Sequence, residues 1–350
     1  MKTLISAPTG YSIRAIDLHD ADEALADRVV AFTNLMDREA VPEDPSMPAL
    51  AIKARLRNRS RFGERVDHLA FRGDELVGRV AVFQNKTGSN EQIRDVKIHV
   101  HPEHRRRGLG RALLAAGIED VPTDGSTKLL SAWTSTRVPS GGAFAERLGA
   151  TLGLHLRVSQ VDLRTIDSAL MREWASVDPK GHRLELIDGD VPDRLMAATI
   201  DLLNSGINRS PREGLELEDV KFTEENIRDW ERQRKTRGQE AWTMLAIEES
   251  TGEGVGFTSV FFDRRVPTVI HQGGTAVDTK HQGRDLGKWL KARMAEKIGS
   301  EIPEARFIRT DNAGTNAPML AINDRMGFRE AWWGDIWQIS LDDARRSAGL

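Results

Sequence analysis

One stretch of this chain, a β-branched strand followed by a glycine-bearing turn and a helix, occurs twice. Val100 precedes Leu109-Gly110 in the first copy, and Val277 precedes Leu286-Gly287 in the second. Two other stretches recur in the same order with nearly the same spacing: residues 10–13 with 181–184, and 147–150 with 325–328. Self-similarity at a nearly fixed spacing indicates a repeated domain. The chain is therefore predicted to be a tandem duplication.

Bulk properties narrow the class of protein. A length of 350 residues fits two domains, and a net charge of −3 gives no general attraction for nucleic acid or anionic membranes. The chain has no cysteine, which excludes disulfides and thiolate chemistry and predicts a cytoplasmic location. Residues 1–12 are too polar for a signal peptide, and no apolar run reaches about 18 residues. No nucleic-acid or membrane partner is predicted.

Apolar periodicity and turn residues predict the same order of elements in both copies, with a hairpin early and a crossover helix late. The predicted fold class is α/β, with two tandem domains that each have a mixed central β-sheet flanked by helices. The predicted boundaries are an N-terminal domain at 1–164, a linker helix at 165–179 and a C-terminal domain at 180–350.

The turn of the first copy predicts an anion site. The strand ends at Val100, and Gly108 and Gly110 open an amphipathic helix. Glycines let consecutive N–H groups point outward, while the helix dipole and three consecutive arginines supply a positive field. A Walker loop would need Lys-Ser or Lys-Thr where Arg111-Ala112 stands, and a dinucleotide fingerprint would need a third glycine. The predicted ligand is a pyrophosphate.

The pattern V-x-P-x-x-R-x-x-G-x-G, formed by Val100, Pro102, Arg105, Gly108 and Gly110, resembles the acyl-CoA loop of the GNAT N-acetyltransferase superfamily. The resemblance implies acetyl-CoA as the cofactor and a preceding strand that pairs with the pantetheine arm. The tandem layout resembles that of mycothiol synthases within this superfamily. The residues that the resemblance assigns to CoA binding are Ile98, Val100, Arg105, Arg106, Arg107, Gly108, Leu109, Gly110 and Arg111 in the first copy, and Thr275, Val277, Gln282, Gly283, Arg284, Asp285, Leu286, Gly287, Lys288, Asn312 and Asn316 in the second.

The family often places a catalytic base eleven residues before the first Arg or Gln of the loop. That count gives His271 in the second copy, whose ordinary pKa of about 6.5 suits it to take a proton from an ammonium. It gives Arg94 in the first copy, and arginine cannot act as a base. Asp95 is adjacent but faces the other side of the strand unless a bulge intervenes. His271 could instead be a wall residue with no catalytic role.

The position of the family's tyrosine acid, four residues before the glycine that ends the late helix, holds Ala145 and Asn323. The only tyrosine in the chain is Tyr11. Solvent or Asp324 could protonate the leaving thiolate, and Asn323 could bond the sulfur or the carbonyl. His271 and Asn323 are therefore the predicted catalytic residues, although Asn323 could equally be a polar surface residue.

The second loop departs from the family pattern because Asp285 stands where glycine is expected. A carboxylate repels a pyrophosphate, but Arg284 and Lys288 could compensate, and aspartate is also a good helix N-cap. No metal site is predicted, because His99, His101 and His104 have no acidic partner among them.

These residues predict an enzyme that transfers an acetyl group from acetyl-CoA to a primary amine of a small molecule. The second domain is the predicted catalytic domain, while the first binds CoA without turnover or serves as a scaffold; the reverse assignment stays open. One alternative is a non-catalytic acyl-CoA-sensing or interaction protein, and another is a protein N-acetyltransferase. The oligomeric state is left open between monomer and homodimer.

Overall fold

The computed structural model describes residues 7–177 and 179–350, so residues 1–6 and Asp178 of the predicted linker lie outside it. The strands are β1 (Ser12–Ala15), β2 (Gly63–Arg72), β3 (Glu75–Asn85), β4 (Ile93–Val100), β5 (Leu129–Ser135), β6 (Thr151–Asp162), β7 (His182–Asp188), β8 (Glu240–Glu248), β9 (Gly254–Phe262), β10 (Val269–Val277), β11 (Phe307–Ala313) and β12 (Arg329–Ser340). The helices are α1 (Glu23–Ala40), α2 (Ala49–Arg57), α3 (Leu109–Ile118), α4 (Ser140–Leu148), α5 (Ser168–Ala175), α6 (Asp193–Asn208), α7 (Glu224–Thr236), α8 (Leu286–Glu301), α9 (Ala317–Met326) and α10 (Leu341–Ala348).

The chain forms two compact units. The first contains the described residues up to His155, together with Arg212–Glu218 and Gly334–Leu350. The second contains Leu156–Pro211 and Asp219–Trp333. The predicted α/β fold with two domains built on mixed sheets is confirmed.

In the first unit the strand order is β1-β2-β3-β4-β5, and the C-terminal part of β12 follows β5 as an antiparallel neighbour. The helix α3 packs on this sheet and buries Leu109, Leu113 and Ile118 almost completely. Fully burying a leucine or isoleucine side chain contributes about 1.5–3 kcal/mol. The helix that follows the glycine turn is therefore fixed rigidly against β3 and β4.

In the second unit the order is β7-β8-β9-β10-β11, followed by the C-terminal part of β6. The helix α8 packs on this sheet, and its Leu286, Leu290 and Ile298 lie in the same core as Trp242 and Phe262. This is the arrangement of the first unit repeated, with α8 in the place of α3.

Each unit is completed by a strand from the other half of the sequence. The second copy's last strand, β12, pairs with β5 of the first unit from Gly334↔Ser135 to Ser340↔Leu129. The first copy's last strand, β6, pairs with β11 of the second unit from Leu156↔Ala313 to Asp162↔Phe307. The predicted boundaries of 1–164 and 180–350 follow the repeat in the sequence, and they stay a prediction about the duplication. The compact units divide the chain at other positions.

Local signals explain several helix ends. Gly149 and Gly327 adopt the left-handed conformation, at φ of 84° and 98°, and end α4 and α9 at the equivalent point of the two copies. The helix α10 begins directly after β12, and the apolar pattern of the last strand does not predict it. Its signal is present, since the Ser340 hydroxyl caps the N–H of Asp343 at 3.0 Å.

Candidate active site

Each unit has a sheet that opens between two parallel strands. In the first, β4 and β5 pair only through Ile93↔Leu129, Arg94↔Leu130 and Asp95↔Ser131. In the second, β10 and β11 pair only through Val269↔Phe307, Ile270↔Ile308 and His271↔Arg309. Beyond these pairs β4 and β10 continue to Val100 and Val277 without a partner on that side. An open strand edge offers backbone N–H and C=O groups to an extended ligand.

The second unit alone has a β-bulge beside its opening. Pairing of β10 with β9 runs through His271↔Phe261 and Gln272↔Val260 and resumes one residue out of step at Thr275↔Thr258. Pairing of β4 with β3 is continuous from Gln84↔Arg94 to Gly78↔Val100. A bulge leaves backbone groups off the ladder, and here they belong to Gly273 and Gly274, which have no side chains to cover them.

The bulge corrects the sequence count for the first copy. Asp95 faces Phe83, just as His271 faces Phe261 in the second unit, so Asp95 and not Arg94 is the counterpart of His271. Arg94 instead donates from Nε to the Thr127 hydroxyl at 2.9 Å. The surrounding protein raises the pKa of the Asp95 carboxyl by desolvation, although the residue keeps solvent exposure. The spacing of eleven residues between the base and the loop holds only in the second unit, because there the bulge adds one residue to the strand.

His271 is exposed at the point where the strands separate. Its register partner Arg309 is buried and donates from Nε and Nη2 to Gln160 Oε1 at 3.2 and 3.0 Å. The Arg309 guanidinium also lies 4.8 Å from the ring centroid of Trp332. Asp311, two residues further along β11, is on the same side of the sheet, and desolvation raises the pKa of its carboxyl. The opening therefore combines the accessible imidazole of His271 with the carboxyl group of Asp311, which ionises less readily than an ordinary aspartate.

A buried polar network lies behind the bulge. Lys291 of α8, only 2% exposed, donates from Nζ to Gln272 Oε1 at 2.8 Å. The amide of Gln272 donates in turn to the hydroxyls of Thr275 at 2.8 Å and Thr258 at 3.2 Å. Burial lowers the pKa of Lys291 to about 7. The sequence does not predict this network, whose only signal is a lysine between the apolar residues 290 and 292.

In the first loop, Arg106 and Gly108 take positive φ values of 61° and 80°, which turn the chain into α3. Arg105 is committed to the protein, because its guanidinium donates to both carboxylate oxygens of Glu39 and from Nε to the carbonyl of Val100 at 3.0 Å. Arg106 and Arg107 are exposed and remain available to an anion. Arg105 therefore braces the turn, which differs from the direct phosphate contact that the resemblance assigns to it.

In the second loop, Gly283 and Asp285 have φ values of 75° and 59°. Asp285 occupies the left-handed position that Gly108 holds in the first loop, and aspartate tolerates this region better than most residues. Asp285 stands at the N-cap position of α8, but its side chain makes no cap hydrogen bond and accepts instead from Lys288 Nζ at 2.7 Å. Gln282 donates from its amide to the carbonyl of Val277 at 3.4 Å, in the position of the Arg105 contact.

The remaining predicted cofactor residues divide by burial. Leu109 and Leu286 are each 1% exposed, so their side chains belong to the core and only their backbone faces the loop. Ile98, Val100 and Val277 pack against the same cores as α3 and α8. The glycines Gly110 and Gly287 stand in the first turns of these helices, and Arg111, Arg284 and Lys288 surround those turns.

Asn323, predicted as a catalytic residue, is 1% exposed and donates from Nδ2 to Asn312 Oδ1 at 2.9 Å. Asn312 and Asn316 retain partial exposure at the end of β11 and the start of α9. Asp324 is used elsewhere, because it pairs with the Arg157 guanidinium at 2.9 Å. Asn323 therefore fixes the side chain of Asn312 through this hydrogen bond. Contact between Asn323 and a reacting group stays a prediction.

An opened mixed sheet with a glycine turn at the end of its central strand and a helix behind it is a fold of the GNAT type. Residues 30–150 match the sequence model of the acetyltransferase (GNAT) family. The structure of a tandem GNAT protein from the clavulanic acid biosynthesis pathway superposes with a TM-score of 0.77 at 24% identity, covering 95% of this chain and 98% of that one. An N-acetyltransferase from Sphaerobacter thermophilus superposes at 0.66 with 16% identity, covering 96% and 97%.

Two relatives are similar in sequence over most of their length. A mycothiol acetyltransferase of Saccharomonospora viridis is 27% identical over 278 residues, 74% of this chain and 79% of the relative. One of Streptomyces avermitilis is 27% identical over 289 residues, 80% and 82% of the two chains. Residues 30–150 thus match the GNAT family, the whole chain has the fold of a tandem GNAT protein, and these similarities support an acetyl-CoA-dependent N-acetyltransferase. None of the helices in the described residues has the length and apolar character to cross a bilayer.

Proposed function

We propose that the second unit transfers the acetyl group, that His271 is its base, and that the acceptor is the primary amine of a small molecule. The observation that carries the proposal is the bulge at Gly273 and Gly274, directly after His271 at the opening between β10 and β11. Acetyl-CoA supplies an activated acetyl thioester. What the chain must add is a grip on its phosphates, an oxyanion donor and a proton acceptor.

Each of these tasks has candidate residues in the second unit. The backbone of residues 282–287 and the N-terminus of α8 suit the pyrophosphate, and the open edge of β10 suits the pantetheine arm. The freed N–H groups of Gly273 and Gly274 suit the carbonyl oxygen, in a geometry fixed by the rigid strand. His271 takes the proton of the ammonium, and solvent returns one to the leaving sulfur, since Tyr11 is the only tyrosine of the chain and lies in the first unit.

The first unit is proposed to bind CoA without turnover. Its loop has the more complete glycine pattern, but β4 pairs continuously with β3, so no bulge adds a backbone donor to those of the open strand edge. His99 on the same strand is held neutral, because burial and the neighbouring Lys97 lower its pKa to about 3. Asp95 stands where His271 stands, so the first unit has a possible base without the bulge that is proposed to supply the oxyanion donor.

The acceptor is proposed from the names of the relatives. Both are mycothiol acetyltransferases, so the first amine to test is the one that such enzymes acetylate. A peptide amine is the alternative acceptor. We further propose that the protein acts in the cytoplasm and that a single chain, as a monomer or within a homodimer, contains a complete site.

The decisive experiment compares His271→Asn with its matched counterpart Asp95→Asn, using acetyl-CoA and a panel of small-molecule amines and peptides. His271→Asn should lower kcat by about 10²-fold or more, the usual contribution of a general base. Asp95→Asn should leave kcat within about twofold. Loss of activity in Asp95→Asn alone would move the active site to the first unit. CoA binding without turnover of any amine would support the sensing alternative.

A further inference from the structure

Three titratable side chains meet in the second unit outside the acyl-transfer site. His182 opens β7, Glu248 ends β8, and His281 ends the short 3-10 turn Thr279–His281. Each offers a nitrogen or oxygen atom, and these atoms all lie within 4.8 Å of one another. His182 and Glu248 are register partners in neighbouring strands, so the backbone itself holds them together.

The buried imidazole of His182 lacks a partner on one side. Its Nδ1 lies 3.2 Å from the carbonyl of Pro179 and 3.1 Å from that of Lys180, so Nδ1 carries the proton. Nε2 is then an acceptor, and among residues 7–177 and 179–350 it has no hydrogen-bond partner, although the residue is only 9% exposed. A histidine whose Nδ1–H is fixed by a carbonyl while Nε2 is left bare is arranged as metal-binding histidines are.

The two other groups are also oriented. His281 Nε2 is 3.3 Å from Glu248 Oε1, and its Nδ1 is 3.7 Å from Asp278 Oδ1. The second carboxylate oxygen of Glu248 accepts from the Thr251 hydroxyl at 2.9 Å, which fixes the carboxylate plane. Outer partners of this kind tune metal ligands.

The first unit has different side chains at the positions equivalent to this cluster. His104 stands where His281 stands, immediately before the loop, but Tyr11 replaces His182 in the repeat. The Tyr11 hydroxyl bonds His104 Nδ1 at 3.0 Å, and the Glu75 carboxylate is 3.8 Å from His104 Nε2. In the first unit the hydrogen bond from Tyr11 therefore gives the buried imidazole of His104 a partner within the protein. The exchange of Tyr for His leaves the second unit with an additional ligand and no partner for it.

We propose that His182, Glu248 and His281 bind a divalent transition-metal ion, for which Zn²⁺ is the best match. Two imidazoles and one carboxylate are a ligand set that zinc commonly takes, with water in the fourth position. Ligand atoms of tetrahedral zinc are about 3.3 Å apart at bond lengths of about 2.0–2.1 Å, so small side-chain rotations close the site.

The position of the ion gives it a structural role. His281 immediately precedes Gln282, the first residue of the phosphate loop, while His182 belongs to the edge strand β7 and Glu248 to its neighbour β8. A bound ion would tie the loop to the sheet. Zinc should therefore raise the thermal stability of the protein. Its binding can be measured without an assay of acetyl transfer.

The test titrates Zn²⁺ into the full chain after EDTA treatment and dialysis, with a competing chromophoric chelator. We expect one equivalent per chain, and a rise in Tm on binding. His182→Tyr, which imports the side chain of the first unit, should fold, lower zinc affinity by at least about 100-fold and abolish the Tm response to EDTA. Glu248→Gln should weaken binding in the same direction. The control His101→Asn, in the matching turn of the first unit, should bind as wild type does.

Two results would overturn the proposal. One is less than a tenth of an equivalent bound by the wild type, which would leave the hydrogen bond between His281 and Glu248 as the account of the cluster. The other is His182→Tyr binding zinc like the wild type, which would assign the zinc to other histidines. X-ray absorption of the zinc complex adds a direct check, since only nitrogen and oxygen ligands at about 2.0–2.1 Å fit this site.

Discussion

At the scale of single residues, Lys291 is the most unusual group in the protein, because a lysine is almost never fully buried. Its Nζ contacts Gln272 at 2.8 Å, and burial alone lowers its pKa to about 7. Between about pH 7 and 10.5 the unfolded chain holds a proton on this lysine that the folded chain does not. Stability therefore rises with pH across that window, by at most about 1.4 kcal/mol per pH unit.

We predict that the free energy of unfolding of wild type minus that of Lys291→Met increases from pH 7 to pH 10. Below pH 7 the wild type is destabilised by the full cost of burying an ammonium, so the stability of the variant relative to the wild type is greatest there. Urea denaturation at several pH values measures the difference. The exposed variant Lys280→Met is the control and should show no such trend. A difference that is flat with pH would mean that Lys291 has an ordinary pKa.

Asp285 offers a second prediction at this scale. It combines a left-handed backbone with a carboxylate in the loop proposed to hold pyrophosphate. Asp285→Gly removes both the strain and the repulsion, and it releases Lys288. CoA should bind about fivefold more tightly, equivalent to roughly 1 kcal/mol, with a smaller gain at high salt. Calorimetry at two ionic strengths measures this, and weaker binding by the glycine variant would show that Asp285 serves the cofactor.

At the scale of elements, the bulge in β10 separates the two otherwise similar units. Deleting Gly274 would make the β9–β10 ladder continuous, as the β3–β4 ladder is. Because the phosphate loop is intact, CoA affinity should change little. Loss of an oxyanion donor should lower kcat by about 10²–10³-fold. Stopped-flow or steady-state measurement of acetyl transfer tests this prediction. An unchanged kcat in the deletion variant would show that the bulge has no role in catalysis.

Elements and loops could be predicted from the sequence because their signals are local. The glycines at 108 and 283 take positive φ as the turn patterns indicate, and Gly149 and Gly327 end equivalent helices. The bulge could not be placed by counting, although two consecutive glycines inside a strand pattern are a recognised sign of one. The Lys291 network and the His182–Glu248–His281 cluster join residues far apart in sequence, so only the sheet register reveals them.

At the scale of the whole molecule, each compact unit needs a strand from the other half of the sequence. The first unit takes residues 334–350, including α10, whose Arg345 donates to the carbonyl of Ile118 at 3.0 Å. The second takes residues 156–162, which pair with β11 along seven register positions, Phe307 to Ala313. A domain boundary drawn from the repeat therefore cuts through hydrogen-bonded sheets.

We predict that residues 1–164 and 180–350, expressed separately, each fail to fold cooperatively, because each would leave a long apolar strand edge exposed. Coexpression should restore a soluble, active complex. Circular dichroism and thermal melts of each half measure this. An isolated second half with a sharp melt and full activity would show that the exchanged strands are dispensable.

The central claim is that the second unit performs acetyl transfer. The most direct test is the steady-state rate of a matched pair, Gly287→Glu and Gly110→Glu, which place a carboxylate at the equivalent turn of each loop. A side chain at either position meets only ordinary contacts, with nearest atoms at 3.8 and 3.5 Å, so both variants should fold. The account predicts that Gly287→Glu abolishes transfer while Gly110→Glu retains it. The opposite pattern would contradict the account.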